Sequence, residues 1–194
     1  MPRLIKSSFS VIGKEGSTLD GEGFIQRLWN EANGHFAEIK HLAKRAEDGS
    51  LVGIWGAMSD RTHSYLPWED NFSEGLYLAG IECEDEAEAP LGWTKWTIPS
   101  FEYLVVANKE GAFDQAIAHL RAEGIPLAGA VHEYIDPVTT RPRPPTGRRS
   151  AQSMSILTQW QPVATSMFPF EKSNSFAPPC CASNNTHRPQ LPST

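Results

Sequence analysis

The stretch Leu127-Ala128-Gly129-Ala130-Val131-His132-Glu133-Tyr134-Ile135-Asp136-Pro137 decides how the rest of the chain is read. It spells a short strand that carries a carboxylate where an apolar residue is expected. Side chains alternate along a strand, so Val131, Glu133 and Ile135 share one face and Ala130, His132 and Tyr134 the other. A carboxylate between two β-branched residues is costly to bury unless a cation or a hydrogen-bond donor meets it. With aromatic residues drawn from elsewhere in the chain, this arrangement suggests a pocket for an organic cation or an aromatic ligand.

Working outward, a helix over Gly111 to Glu123 precedes this strand, with Phe113, Ala116, Ile117 and Leu120 toward the core. Gly124 serves as its C-cap and Pro126 lies beyond. Before the helix, Gly92 to Ile98 and Phe101 to Ala107 read as strands flanking the turn Pro99-Ser100. After Pro137 comes an Arg/Pro loop, then Ser153 to Trp160 as the last strand. The first half has the same order. Ser8 to Lys14 is a strand, and a helix follows Asp20. There Phe24, Ile25, Leu28, Trp29 and Ala32 recur at three- and four-residue spacing, continued by Phe36, Ile39, Leu42 and Ala43. Leu51 to Ala57 and, beyond the loop Arg61 to Ser73, Leu76 to Cys83 complete it. The last of these is apolar on both faces until Glu82, as a central strand is.

Strand, helix, strand, strand therefore occurs twice. The predicted fold class is α+β: duplicated β-α-β-β units form one curved antiparallel sheet, with two helices on one side and a central ligand cleft. The folded domain is expected over 1–163. In 164–194 no periodicity survives and Ser, Asn, Pro and Thr dominate, so a disordered tail is expected there.

Composition removes several function classes. The chain has 194 residues and a net charge of −6, which argues against general nucleic-acid binding, because neutralising phosphates needs clustered Lys and Arg. Its one basic cluster, Arg141, Arg143, Arg148 and Arg149, is spread among prolines and reads as a solvated loop. Glu82, Glu84, Asp85, Glu86 and Glu88 lack the spacing of a calcium loop and read as a solvated hairpin tip. Three cysteines, Cys83, Cys180 and Cys181, fit neither a zinc site nor a disulfide framework, which favours a reducing cytoplasm. No run approaches the ~18 apolar residues of a membrane span, and no secretory signal is apparent. No phosphate loop or nucleophile elbow appears, and His132-Glu133 lacks the second histidine of a zinc protease. Neither metal nor cofactor is expected.

With these stretches in hand, the chain resembles the GyrI-like small-molecule-binding family, the effector-binding domain fused to AraC- and MerR-type regulators and also found alone. Leu28-Trp29-Asn30-Glu31, Phe36-Ala37-Glu38-Ile39 and Val52-Gly53-Ile54-Trp55-Gly56 carry the resemblance. So do Leu76 to Glu82, Ile98-Pro99, Tyr103, His132-Glu133-Tyr134 and Gln161-Pro162-Val163. The resemblance implies the duplicated fold and a buried glutamate, here Glu133, that meets cationic ligands. It also implies an alternative, hydrolysis of strained cyclopropane-containing electrophiles with Glu133 as general acid/base, and more remotely a gyrase-inhibitor-like role. Regulatory members carry a helix-turn-helix domain. The few residues before the first strand and the tail supply none, so direct DNA binding is not expected.

The expected ligand-binding set is Glu133, Trp55, Trp68, Tyr77, Trp96, Phe101 and Tyr103. A ring over a cation contributes about 0.5–2 kcal/mol depending on desolvation. Trp68, in the loop Tyr65-Leu66-Pro67-Trp68-Glu69, could close over a ligand, whereas Trp29 is read as core and His132 as structural. The expected partner is a hydrophobic, cationic or polyaromatic small molecule, bound by a stand-alone module in the cytoplasm. Oligomeric state is left open.

Overall fold

A computed structural model describes residues 1–137 and the backbone of strand 153–159. The basic loop, Cys180, Cys181 and the tail expected from residue 164 lie outside the described residues. The first half consists of β1 (Arg3–Lys6), β2 (Phe9–Ser17), α1 (Phe24–Gly34), β3 (Ile54–Ser59), α2 (Glu69–Phe72) and β4 (Leu76–Cys83). The second consists of β5 (Thr94–Ile98), β6 (Phe101–Ala107), α3 (Ala112–Ala122), β7 (Val131–Ile135) and β8 (Ser153–Gln159).

All eight strands form one sheet in the order β1-β6-β8-β7-β3-β4-β2-β5, with every pair antiparallel. The order is palindromic about the β3–β7 seam. One repeat contributes β2, β4 and β3, the other β6, β8 and β7, so the duplicated β-α-β-β arrangement is present.

The flanking strands are exchanged. β1 precedes β2 by two residues yet pairs with β6 at the far end of the sheet, and β5 precedes β6 by two residues yet pairs with β2. Two linking residues make three Cα steps and span at most about 11 Å, so the sheet must curl until its ends meet. They do: Ser8 Oγ donates to the Ile98 carbonyl (3.0 Å) and Ser100 Oγ to that of Lys6 (3.1 Å). Pro99-Ser100 is therefore a crossing between the two ends of the sheet, and β5 and β6 are not a hairpin.

Alternation gives the curled sheet two buried faces. On the inner one Phe9, Val11, Trp55, Leu78, Trp96, Ile98, Phe101 and Tyr103 form one apolar cluster. On the outer one Ile12, Tyr77, Ala79 and Ile81 pack against α1, and Leu104 and Val106 against α3. Both helices therefore cover the same face. Each buries small or apolar residues four apart, Phe24, Leu28 and Ala32 on α1 and Ala112, Ala116 and Leu120 on α3. α1 stops at Gly34, and the apolar stripe continues through the 3-10 turn Phe36–Glu38 to Ile39. Gly124, at φ +68°, follows α3 as expected.

α2 is no packing helix. Asp70, Asn71 and Phe72 are left-handed, at φ 42°, 55° and 67°, so the segment is a tight turn at the tip of the β3–β4 loop. No helix among the described residues is long and apolar enough to cross a membrane.

Candidate functional site

The groove between α1 and α3 runs along the β3–β7 seam, where Ile54 pairs with Ile135 and Gly56 with Glu133. Alternation on β7 turns Val131, Glu133 and Ile135 toward the groove, with His132 and Tyr134 on the inner face. Glu133 is partly exposed at its floor.

From β4, on the far side of β3, the fully buried Tyr77 reaches over the seam and its hydroxyl donates to Glu133 Oε2 at 2.8 Å. That reach depends on Gly56, which lies beneath it. A Cβ there would overlap the hydroxyl, sit 2.7 Å from Tyr77 Cζ and come within 3.0 Å of Glu133 Oε2. A glycine inside a strand commonly marks such an approach.

Trp29, on α1, donates its indole N–H to the Tyr77 oxygen at 2.9 Å. An indole N–H can only donate, so the chain runs one way, from Trp29 through Tyr77 to Glu133. Burial, and then the neighbouring Glu133 carboxylate, push the Tyr77 phenol well above its usual range, which keeps it a donor. Glu133 Oε1 has no partner among the described residues.

Beside this carboxylate lies a cavity of about 300 Å³ lined by Met58, Trp68, Phe72, Asn108, Phe113, Val131 and Glu133. Glu133 is the single charged residue in that lining among the described residues. Trp68 is held by a bond from its N–H to the Leu76 carbonyl (2.9 Å). Its ring lies on Gly75, where a Cβ would come within 2.6 Å of Trp68 Cγ. Phe72, carried by the left-handed turn, meets Phe113 of α3 edge-on at 5.1 Å. The tip of the β3–β4 loop thereby bridges to the second repeat. The loop's base is tied down by the buried Asp60, whose carboxylate accepts from the backbone N–H groups of Thr62, Ser64 and Leu66.

The structure brings Glu133, Trp68 and Tyr77 to this groove and leaves the other four expected residues out of it. Trp55, Trp96, Phe101 and Tyr103 lie on the inner face, none more than 7% exposed. The physical reason is the two-residue period of the strand. Trp55 is next to Gly56, so it must point away from the groove that Gly56 floors.

The inner face has its own polar centre, which also corrects the reading of Glu82. Only 3% exposed, Glu82 is not part of a solvated tip. It pairs with the Lys6 ammonium at 3.1 Å and accepts the Trp55 N–H at 3.1 Å. His132 is fully buried there, and its Nδ1 accepts the Met58 backbone N–H at 3.1 Å.

Met58, Phe72, Asn108, Phe113 and Val131 were not expected to line a site, and Trp29 was expected to be plain core. Gly56, a glycine inside a strand, was the available sequence signal. Among the described residues no group of three or more His, Cys, Asp or Glu side chains could hold a metal ion.

No protein-family model matches this chain, and no curated protein matches it either. Solved structures do. The C-terminal domain of EcmrR superposes with a TM-score of 0.53 at 11% identity, over 81% of this chain and 94% of that one. SAV2435 bound to tetraphenylphosphonium aligns with a TM-score of 0.48 at 15% identity, over 81% and 92% of the two chains. An integron cassette protein from the mobile metagenome of Vibrio cholerae gives 0.41 at 15% identity, over 81% and 94%. The EcmrR domain shares the fold of this chain, in which the duplicated β-α-β-β arrangement that the sequence resemblance implied is present.

Proposed function

We propose that the Glu133 cavity binds a hydrophobic organic cation, making the protein a small-molecule-binding module of the multidrug-capturing kind. One observation carries the proposal. A carboxylate with one oxygen fixed by Tyr77 presents its other oxygen, unpartnered among the described residues, to a cavity whose described lining is otherwise Trp68, Phe72, Phe113, Met58, Val131 and the uncharged Asn108. A cation there gains the carboxylate and the ring faces together. An anion meets repulsion, and a neutral molecule leaves the carboxylate uncompensated. Tyr77 and Trp29 orient the carboxylate and take no part in contact with the ligand. A cytoplasmic setting is proposed with it, supported by the buried thiol of Cys83, and cell fractionation tests that placement.

The test is calorimetric titration with tetraphenylphosphonium and with triphenylphosphine oxide as its neutral counterpart. Tetraphenylphosphonium should bind the full chain and the oxide more weakly. Glu133→Gln should weaken the cation by roughly tenfold or more, as loss of a charge-assisted contact does, and leave the oxide unaffected. Equal cation affinity in Glu133→Gln would remove the carboxylate from the account.

A further inference from the structure

The groove continues past the Tyr77–Glu133 bridge. On the α1 side it opens into a hollow of about 430 Å³ bounded by Gln26, Trp29, Asn33, Ile54 and Ile135. A smaller hollow of about 130 Å³ runs beneath α1, among Phe36, Ile39, Leu51, Ile81 and Trp93. Both hollows are also lined by Trp29, Asn33 and Ile54, so they meet at those residues.

The chemistry of this recess differs from that of the Glu133 cavity. Neither hollow has a charged side chain in its described lining. Its two indoles have no free polar atom, because the Trp29 N–H is given to Tyr77 and the Trp93 N–H to Glu38 Oε2 at 2.9 Å. The rings therefore present only carbon. Lys14 Nζ lies 4.4 Å from the Trp93 ring and is engaged by Glu31 at 3.0 Å, so it supplies no free charge. What remains polar is carboxamide. Asn33 is exposed at the mouth, its side chain unbonded among the described residues, and Gln26 uses its N–H on Asn30 and keeps its carbonyl.

We infer that this recess is a second ligand site, which takes an uncharged amphiphile with an aliphatic tail, such as a long-chain alcohol or primary amide. The tail lies beneath α1 against Ile39, Leu51, Ile54 and Ile81, and the head exchanges hydrogen bonds with the Asn33 and Gln26 carboxamides. A carboxylate or ammonium head would find no counter-charge in the described lining, where only the two carboxamides meet it. This site rests on the lining of its own hollows and does not depend on the proposal made for the Glu133 cavity.

The experiment is a titration of the full chain, with methyl-labelled isoleucine, methionine and valine, followed by NMR. The probes are 1-decanol, decanoate and decyltrimethylammonium. 1-Decanol should shift the Ile39, Ile54 and Ile81 methyls saturably, and the two charged probes should act there roughly tenfold more weakly. Leu51→Trp fills the inner hollow and should abolish the response. Asn33→Leu, at the exposed mouth, should weaken it several-fold and tests the head contact even where Leu51→Trp does not fold. An absent or unsaturable 1-decanol response at those methyls, an equal response to all three probes, or undiminished binding in Asn33→Leu would overturn the inference. Tetraphenylphosphonium shifts at Met58 and Val131 report the other cavity, so failure of one proposal is visible apart from failure of the other.

Discussion

Replacing Gly56 by alanine tests the central bridge with a single methyl group. The new Cβ would lie on the Tyr77 hydroxyl, 2.7 Å from its Cζ and 3.0 Å from Glu133 Oε2. The phenol cannot swing aside into solvent, because Tyr77 is fully buried and its ring is packed edge-on against Phe24 and Trp29. Either the hydroxyl leaves both of its hydrogen bonds, to Glu133 and from Trp29, or β3 shifts against β7. Each lost bond costs about 1 kcal/mol, and forcing a methyl into a filled space costs about 1–3 kcal/mol. The expected destabilisation is about 1–3 kcal/mol, a fall in Tm of roughly 3–9 °C for a domain of this size. Calorimetric melts of Gly56→Ala, Tyr77→Phe and the double variant check it. Because Tyr77→Phe removes the atom nearest the added methyl, the double variant should be more stable than the sum of the two singles by about 1 kcal/mol. A Gly56→Ala protein melting within a degree of the parent, or strict additivity in the cycle, would refute the geometry argued for Tyr77 and Glu133.

Two further outcomes are expected. Trp29→Phe keeps a ring under α1 but deletes the donor to Tyr77, and should lower stability by about 1 kcal/mol in urea titrations; an unchanged midpoint would show that the Trp29 bond contributes nothing. His132 gives a pH signature. Burial holds its imidazole down to about 3, below the usual 6.5, so between those values the unfolded chain carries a proton that the folded one lacks. Stability is then full above about pH 6.5 and falls on acidification, by up to about 1.4 kcal/mol per pH unit. His132→Gln retains an acceptor for Met58 and should show a flatter decline between pH 6.5 and 4; parallel curves for parent and variant would contradict the assignment.

What the sequence disclosed follows from which forces are local. The strand Phe101–Ala107 and the helix Ala112–Ala122 are marked by their own periodicity and by Gly124, and both are present where expected. Period-two alternation correctly separated Glu133 from His132. The β1 strand was not legible. Its four residues are mostly exposed and pair with β6, about a hundred positions away, so no local pattern records them. Which aromatics border the groove was hidden for a similar reason. Trp55, Trp96, Phe101 and Tyr103 were placed on strands, but which face borders the groove depends on the register of Gly56 against Glu133. Glu82 was grouped with its acidic neighbours because its partner, Lys6, lies 76 positions earlier in the chain. Phe72 and Phe113 meet only because a left-handed turn carries one to the other, and nothing in the spacing of the two residues announces it.

The exchanged strands β1 and β5 make the repeats mutually dependent. Each repeat completes its sheet with a strand that leads into the other, so a fragment ending after β4 would retain β1 but lose β6, the neighbour β1 pairs with, and would leave the outer edge of β2 bare. The two halves are therefore interlaced like clasped hands. The groove they enclose exists only while both are folded, which ties any binding function to the integrity of the whole.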